Sequence, residues 1–365
     1  MISVRLRFVT DLSASAGAWA AARDGMAPSK HGPLRLRLRP PNPMAIASYL
    51  REIGRGAKGA RSLGVDAARD LMAQLLDGRL SDLEVGAFAI AMRMKGESLD
   101  ELSGFLLALH ERLNPLTSDR AVVSIASYNG ARRLPNLVPL LALLLSRAGV
   151  RVLVHGPLND PNRVTTAQVF EALGLPPATS AGAAAADWRH RNCSFVPTGL
   201  LSSSLERLLE VRRTVGLRNS GHTIAKMMSP VTGAPCLCLM SYTHPEFGQL
   251  MADHAQRAAR HVGLLRGTEG EAVADPRRRL RQRIWLHGRP QADLSVDEAA
   301  ALGSVPDLPA ASDAATTARW IEAALDEKVP VPPAITEQVG RLAQALHRLD
   351  DTAARPSGAE GSESG

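Results

Sequence analysis

The sequence predicts a small N-terminal all-helical domain followed by a larger α/β domain with a mostly parallel sheet, and a change of hydrophobic period at Pro115 carries that prediction. From Ala45 to Leu113 apolar residues recur at helical spacing, as in Leu71, Leu75 and Leu76, then Val85, Phe88, Ala89 and Met92, then Leu102, Phe105, Leu106 and Leu109. That spacing predicts about four helices. Ser81 with Glu84 forms a capping box, and Asp66 stands at a second expected N-cap, with Arg69 three residues on.

Beyond Pro115, short β-branched runs alternate with helical stretches, which is the pattern of parallel βαβ units. Strands are expected at Val122–Ala126, Val150–Val154, Cys236–Met240 and Val262–Leu265, with a turn at Tyr128-Asn129-Gly130. Helices are expected over Leu137–Leu145, Val164–Leu173, Phe247–His261, Asp313–Leu325 and Ala334–Leu349. The helical domain is set at 44–117, joined by a helix near 200–214, and the α/β domain at 118–350. No internal repeat is found. Residues 1–43, nearly acid-free and ending in Arg35-Leu36-Arg37-Leu38-Arg39-Pro40, read as a disordered basic extension. A start at Met44 or a transit role for this segment stays open. Residues 351–365 read as a solvated tail.

Composition narrows the class. With 45% hydrophobic residues the chain can build a core, yet its longest apolar run, Leu140–Leu145, is far short of a membrane span of about 20 residues. Three cysteines cannot make a disulfide framework, so a reducing cytoplasm is the expected location. Net charge is +5 over 1–43, −2 over 44–119, +8 over 120–245 and −4 over 246–365. A basic middle suggests a polyanion or a phosphorylated ligand. The 38 arginines against 5 lysines fit a genomic GC bias equally well.

Gly54-Arg55-Gly56-Ala57-Lys58-Gly59 matches the dinucleotide fingerprint, but a helical segment precedes it where the mechanism needs a strand. It reads as a basic turn in which Arg55 and Lys58 can reach phosphate. His254 and His261 fall seven apart on one expected helix, without the i, i+4 spacing of a zinc pair, and no metal site is expected. Cys236 and Cys238 point to one face of a strand, as core residues do. The segment from Arg212 to Lys226 is the most unusual: Arg212, Arg213, Arg218 and Lys226 lie within fifteen residues that contain no carboxylate. Uncompensated guanidinium groups repel one another unless an anion or solvent screens them. An anion-binding surface follows, against the plainer reading of a solvated helix end.

Together these segments resemble the anthranilate phosphoribosyltransferase (glycosyltransferase family 3) and pyrimidine-nucleoside phosphorylase superfamily, and the resemblance covers most of 44–350. Glu52–Gly56, Ser127–Arg132, Val154-His155-Gly156, Gly216–Ser220 and Gly267–Glu271 look most like its YbiB-like branch, described as homodimeric nucleic-acid-binding relatives of the transferase. The resemblance implies dimerisation through the helical domain. In the transferases the first turn reads Gly-Thr-Gly-Gly-Asp, whose backbone N–H groups approach the diphosphate. Here Ser127, Tyr128, Asn129 and Gly130 replace it, with His155 and Gly156 completing a degenerate phosphoribosyl-diphosphate site. Glu269 and Glu271 are offset from the family's Mg²⁺-binding acids.

The expectation is therefore a non-catalytic binder of DNA, or of RNA, that needs no cofactor and reaches phosphates through Arg132, Arg133, Arg212, Arg213, Arg218, Lys226, Arg55 and Lys58. Tyr128 is the one aromatic positioned to stack on a base, although a turn role suits it better. The alternative is a Mg²⁺-dependent phosphoribosyltransferase or nucleoside phosphorylase with an altered pocket.

Overall fold

The computed structural model describes residues 46–56, 58–296 and 306–354. The expected basic extension at 1–43 and the end of the tail lie outside the described residues.

The helical domain comprises α1 (Ile46–Ile53), α2 (Val65–Leu76), α3 (Asp82–Lys95) and α4 (Leu99–His110). Ser81 and Glu84 cap α3 reciprocally, and Ser98 with Glu101 does the same for α4. Glu101 is buried and accepts from Leu63 N–H at 3.0 Å and from Lys95 Nζ at 2.5 Å, which ties the α2 approach to α3 and α4. Asp66 is not the N-cap of α2. Gly64 holds that place and Asp66 sits in the first turn, where its charge meets the positive helix end.

The α/β domain follows in the order β1 (Leu116–Thr117), β2 (Val122–Ala126), α5 (Val138–Arg147), β3 (Arg151–Gly156), α6 (Thr166–Ala172), α7 (Ala181–Arg191) and β4 (Cys193–Pro197). It continues through α8 (Thr198–Leu201), α9 (Ser203–Val215), α10 (Ser220–Met227), β5 (Val231–Thr232), β6 (Cys236–Tyr242), α11 (Pro245–Arg257) and β7 (His261–Arg266). It closes with β8 (Gln282–Leu286), β9 (Arg289–Pro290), α12 (Ala314–Leu325) and α13 (Pro333–Ala354). The main sheet has the order β4-β3-β2-β6-β7-β8-β9, parallel through β7 and antiparallel beyond it. β1 and β5 pair separately.

Alternate residues of the parallel strands feed two apolar cores. Val122, Cys238 and Leu264 face the side that also holds the helical domain, α9, α10 and α11, whereas Val123, Leu237 and Leu239 face α5, α6, α12 and α13. Burial on both faces suits the β-branched runs of a parallel sheet. Cys236 and Cys238 lie in the first core with sulfur atoms 3.8 Å apart.

The expected helix Phe247–His261 ends early. Ala259 takes a left-handed φ of 47° after α11, and His261 opens β7, so His254 and His261 do not share a helix. β2 pairs with β3 on one side and with β6 on the other, so the chain reverses direction across the sheet there. Ligands of open α/β sheets bind beyond the carboxyl ends of the strands at such a point.

Candidate nucleic-acid interface

The loop that leaves β2 holds Ser127 to Gly130, Arg132 and Arg133, β3 ends in His155 and Gly156, and Arg212, Arg213, Arg218 and Lys226 come from α9, α10 and the loop between them. β2 runs into Ser127, whose Oγ meets Thr166 Oγ1 at 2.6 Å, and into Tyr128, whose hydroxyl lies 2.9 Å from His155 Nδ1. Tyr128 and His155 are buried edge to face, so Tyr128 offers no surface for stacking on a base. Burial pushes His155 down to about 3, which makes it a neutral hydrogen-bonding partner and not a cation. Gly156 is required where β3 ends, because a Cβ there would run into the Ser127 carbonyl oxygen.

The next loop residues turn their N–H groups toward two glutamates. Asn129 N–H donates to Glu271 Oε1 at 2.8 Å, and Gly130 N–H donates to the same oxygen. Arg132 and Arg133 N–H donate to Glu269 Oε2 at 2.7 and 3.0 Å, and Leu134 N–H reaches it at 3.3 Å. These carboxylates occupy the backbone donors that would otherwise be free to bind an anionic ligand. Burial alone would raise the Glu269 carboxyl, but the three N–H bonds and Arg163 outweigh it and hold it below its usual range. Glu269 is fixed at a left-handed φ of 51°, a costly conformation for a residue with a side chain. Gly270 follows at φ +86°, and a Cβ there would collide with the Asn129 side chain.

Facing Glu271 is a cluster of cations. Arg218 donates from Nη1 to Asn129 Oδ1, Arg163 from Nη1 to the Gly130 carbonyl at 3.3 Å, and Lys226 from Nζ to the Gly270 carbonyl at 3.3 Å. Desolvation and the neighbouring Arg212 and Arg163 lower Arg218 to about 10, while desolvation and Arg218 lower Lys226 to about 8. Glu271 opposes both shifts. His222, at the start of α10, is lowered to about 3 by burial and then by Arg218 and Arg212, so it too is neutral.

The remaining predicted cations divide. Arg212 pairs with Asp160 at 2.9 Å and Arg213 with Glu210 at 2.6 Å, so acids absent from the 212–226 segment reach it from the β3–α6 loop and from α9 itself. The side chains of Arg132 and Arg133 are exposed and make no ion pair among the described residues. Arg55 pairs with Glu52 at 2.9 Å. Neither Arg55 nor Lys58 lines the clefts described next. Their turn borders an apolar hollow between α1 and α3.

Two clefts meet at His222. One, of about 360 Å³, is bordered by Arg212, Arg213 and Asp160; the other, of about 250 Å³, by Arg218, Lys226, Ser241 and Thr243, with Arg93 and Glu97 from the helical domain. The Glu269 carboxylate and Glu271 Oε1 accept from backbone N–H groups, which leaves Glu271 Oε2, buried and without a hydrogen-bond partner among the described residues, as the one oxygen of this pair open to a cation. Arg163, Asp160 and the anchoring role of the two glutamates were not legible from sequence, since each depends on loops far apart in the chain.

A helical bundle packed on an open parallel sheet, with a polar site at the sheet's switch point, places the chain among proteins of the phosphoribosyltransferase-like fold. Residues 47–113 match the glycosyl transferase family helical bundle domain. The chain belongs to the YbiB family: it is 39% identical over 299 residues to the uncharacterized protein YbiB of Escherichia coli, covering 81% of this chain and 92% of that one. It is also 31% identical over 173 residues to the anthranilate phosphoribosyltransferase of Methanothermobacter thermautotrophicus, 47% of this chain and 49% of that enzyme. Among solved structures, anthranilate phosphoribosyltransferase from Thermus thermophilus superimposes with a TM-score of 0.61 at 17% identity, covering 86% of this chain and 90% of that one. The Saccharomyces cerevisiae enzyme in complex with PRPP and Mg gives 0.60 at 12% identity, covering 84% and 95%. These similarities establish the fold.

Proposed function

We propose that the chain is a non-catalytic, largely sequence-independent nucleic-acid-binding protein that works in the cytoplasm as a homodimer. One observation carries this reading: the backbone donors of the β2 loop are filled by Glu269 and Glu271, while Arg132, Arg133, Arg218 and Lys226 stand around them with no ion pair among the described residues, Glu271 acting on the last two only through its field. A monomeric diphosphate would have to displace both glutamates. A phosphate backbone can instead be met by side-chain cations at the surface, with release of condensed counterions.

The apolar stripe on α3 supports the dimer. Leu83 and Met94 are 84% and 73% exposed, and Ile90 lies between them on the same side beside an apolar hollow. Pairing two copies through that stripe would bury it and join two basic faces, which raises avidity.

The test is a titration of labelled duplex DNA at several salt concentrations. Log affinity is expected to fall linearly with log salt, each lost phosphate contact reducing the slope by roughly 0.9. Leu83→Asp with Met94→Asp should give a monomer by sedimentation and weaker binding. Affinity indifferent to salt would overturn the reading. The rival transferase reading rests on the likeness to anthranilate phosphoribosyltransferases, and release of pyrophosphate from phosphoribosyl diphosphate with Mg²⁺ and a panel of amines or bases would favour it.

A further inference from the structure

A third basic cleft lies beyond the two described above, on the loop between β7 and β8. It encloses about 290 Å³ and is bordered by Arg266, Arg277, Arg278, Arg279 and Arg281, with Glu269 and Asp275 as its acids. Thr243 borders both this cleft and the one containing Arg218 and Lys226. The three clefts therefore form a series, linked first at His222 and then at Thr243. Glu269, which holds the backbone of Arg132 and Arg133, reaches the new cleft from the side and lies in the field of Arg277.

The loop is anchored to the second core. Ala272, Val273, Ala274 and Leu280 are buried in the second core, and Gln338 of α13 accepts from Ala274 N–H at 2.9 Å. With Leu280 turned inward, Arg279 and Arg281 on either side of it are turned out and exposed. Asp275 compensates Arg277 and Arg278 at 2.9 and 3.7 Å. Arg266, Arg279 and Arg281 have no ion pair among the described residues. Arg283, two residues further along, is accounted for by the Trp285 ring 5.4 Å from its guanidinium carbon. Exposed cations held on ordered backbone and left without counter-ions suit an external polyanion, whose phosphates can take the place of the water and salt that otherwise screen their repulsion.

We infer that this β7–β8 loop is a second phosphate-backbone contact site, which extends the proposed nucleic-acid track past Thr243 with Arg266, Arg279 and Arg281 as its contacting residues. The inference rests on the nucleic-acid reading and adds a site to it. Its test is the salt-dependent titration of labelled duplex DNA with full-length wild type and the variants Arg279→Glu/Arg281→Glu and Arg279→Ala/Arg281→Ala, each checked for an unchanged melting curve. The expected result is a loss of about tenfold or more for the Glu pair and a salt slope reduced by about 2 in both variants. Wild-type binding with unchanged affinity and slope in both variants overturns the inference and leaves the broader reading standing. No salt-dependent binding by wild type overturns both.

Discussion

Two arginine-bearing loops at the same end of the sheet present their polar groups in opposite ways. The loop after β2 turns its N–H groups inward, and the chain's own carboxylates from Glu269 and Glu271 fill them. The loop after β7 turns its apolar residues inward and leaves Arg279 and Arg281 bare. Gripping one small anion requires converging, dehydrated donors; gripping a polymer requires spaced cations on firm backbone that remain in contact with water. The first loop has the geometry of the former task but is occupied, whereas the second carries the exposed cations that the nucleic-acid proposal assigns to the latter.

The sharpest way to break this contrast is to empty the first loop. Glu271→Ala would strand two backbone donors and leave Lys226 and Arg218 without the charge that opposes their repulsion. A loss of about 2–4 kcal/mol in urea-unfolding stability is expected, since a buried charge is left uncompensated and buried donors unpaired. Pyrophosphate should restore part of the variant's melting temperature and leave the wild type unchanged. An equal shift in both proteins would mean that the cradle is open despite Glu271.

Glu269→Ala should cost less, about 1.5–2 kcal/mol, because water can reach the N–H groups of Arg132 and Arg133 once the carboxylate is gone. The left-handed backbone strain stays, since alanine also carries a Cβ. The Glu269 carboxyl is lowered in the folded chain, so its contribution is present above the ordinary carboxylate pKa and fades as pH falls through the folded value. Wild type and variant should therefore converge in stability in strong acid. A constant gap down to that range would show that the side chain acts through packing alone.

The fold was largely legible because hydrophobic period is local information. Val122–Ala126 was found with its exact bounds, and the Ser81–Glu84 cap holds α3 as its spacing implied. β4 escaped because Cys193–Pro197 is short, ends in proline and has a single β-branched residue, while α7 is alanine-rich and shows no apolar stripe. The site was legible only as charge. Arg212 and Arg213 were visible in the sequence, but their partners Asp160 and Glu210 became apparent only once the chain was folded or wound into α9. The arginines at 277–281 were equally visible as a run, and the segment-wide excess of acid over base in the C-terminal third masked them.

The smallest expected effect concerns Lys226, the one cation of the first site whose charge changes near neutral pH. Desolvation and Arg218 lower it to about 8 in the free chain, so it is half protonated there. A bound phosphate would offset both causes and return it toward about 10.4, its ordinary value. Binding then takes up a proton between those two values, and affinity is expected to fall by about three- to tenfold as pH rises from 7 to 9. On the stability of the free chain the sign is reversed: the folded state disfavours the charged form, so stability rises as pH passes from about 8 toward 10.4. Lys226→Arg keeps its charge throughout and should flatten the affinity profile at fixed salt. If the two profiles run parallel, Lys226 does not face the bound anion, and the track bypasses the β2 loop in favour of the arginines at its rim.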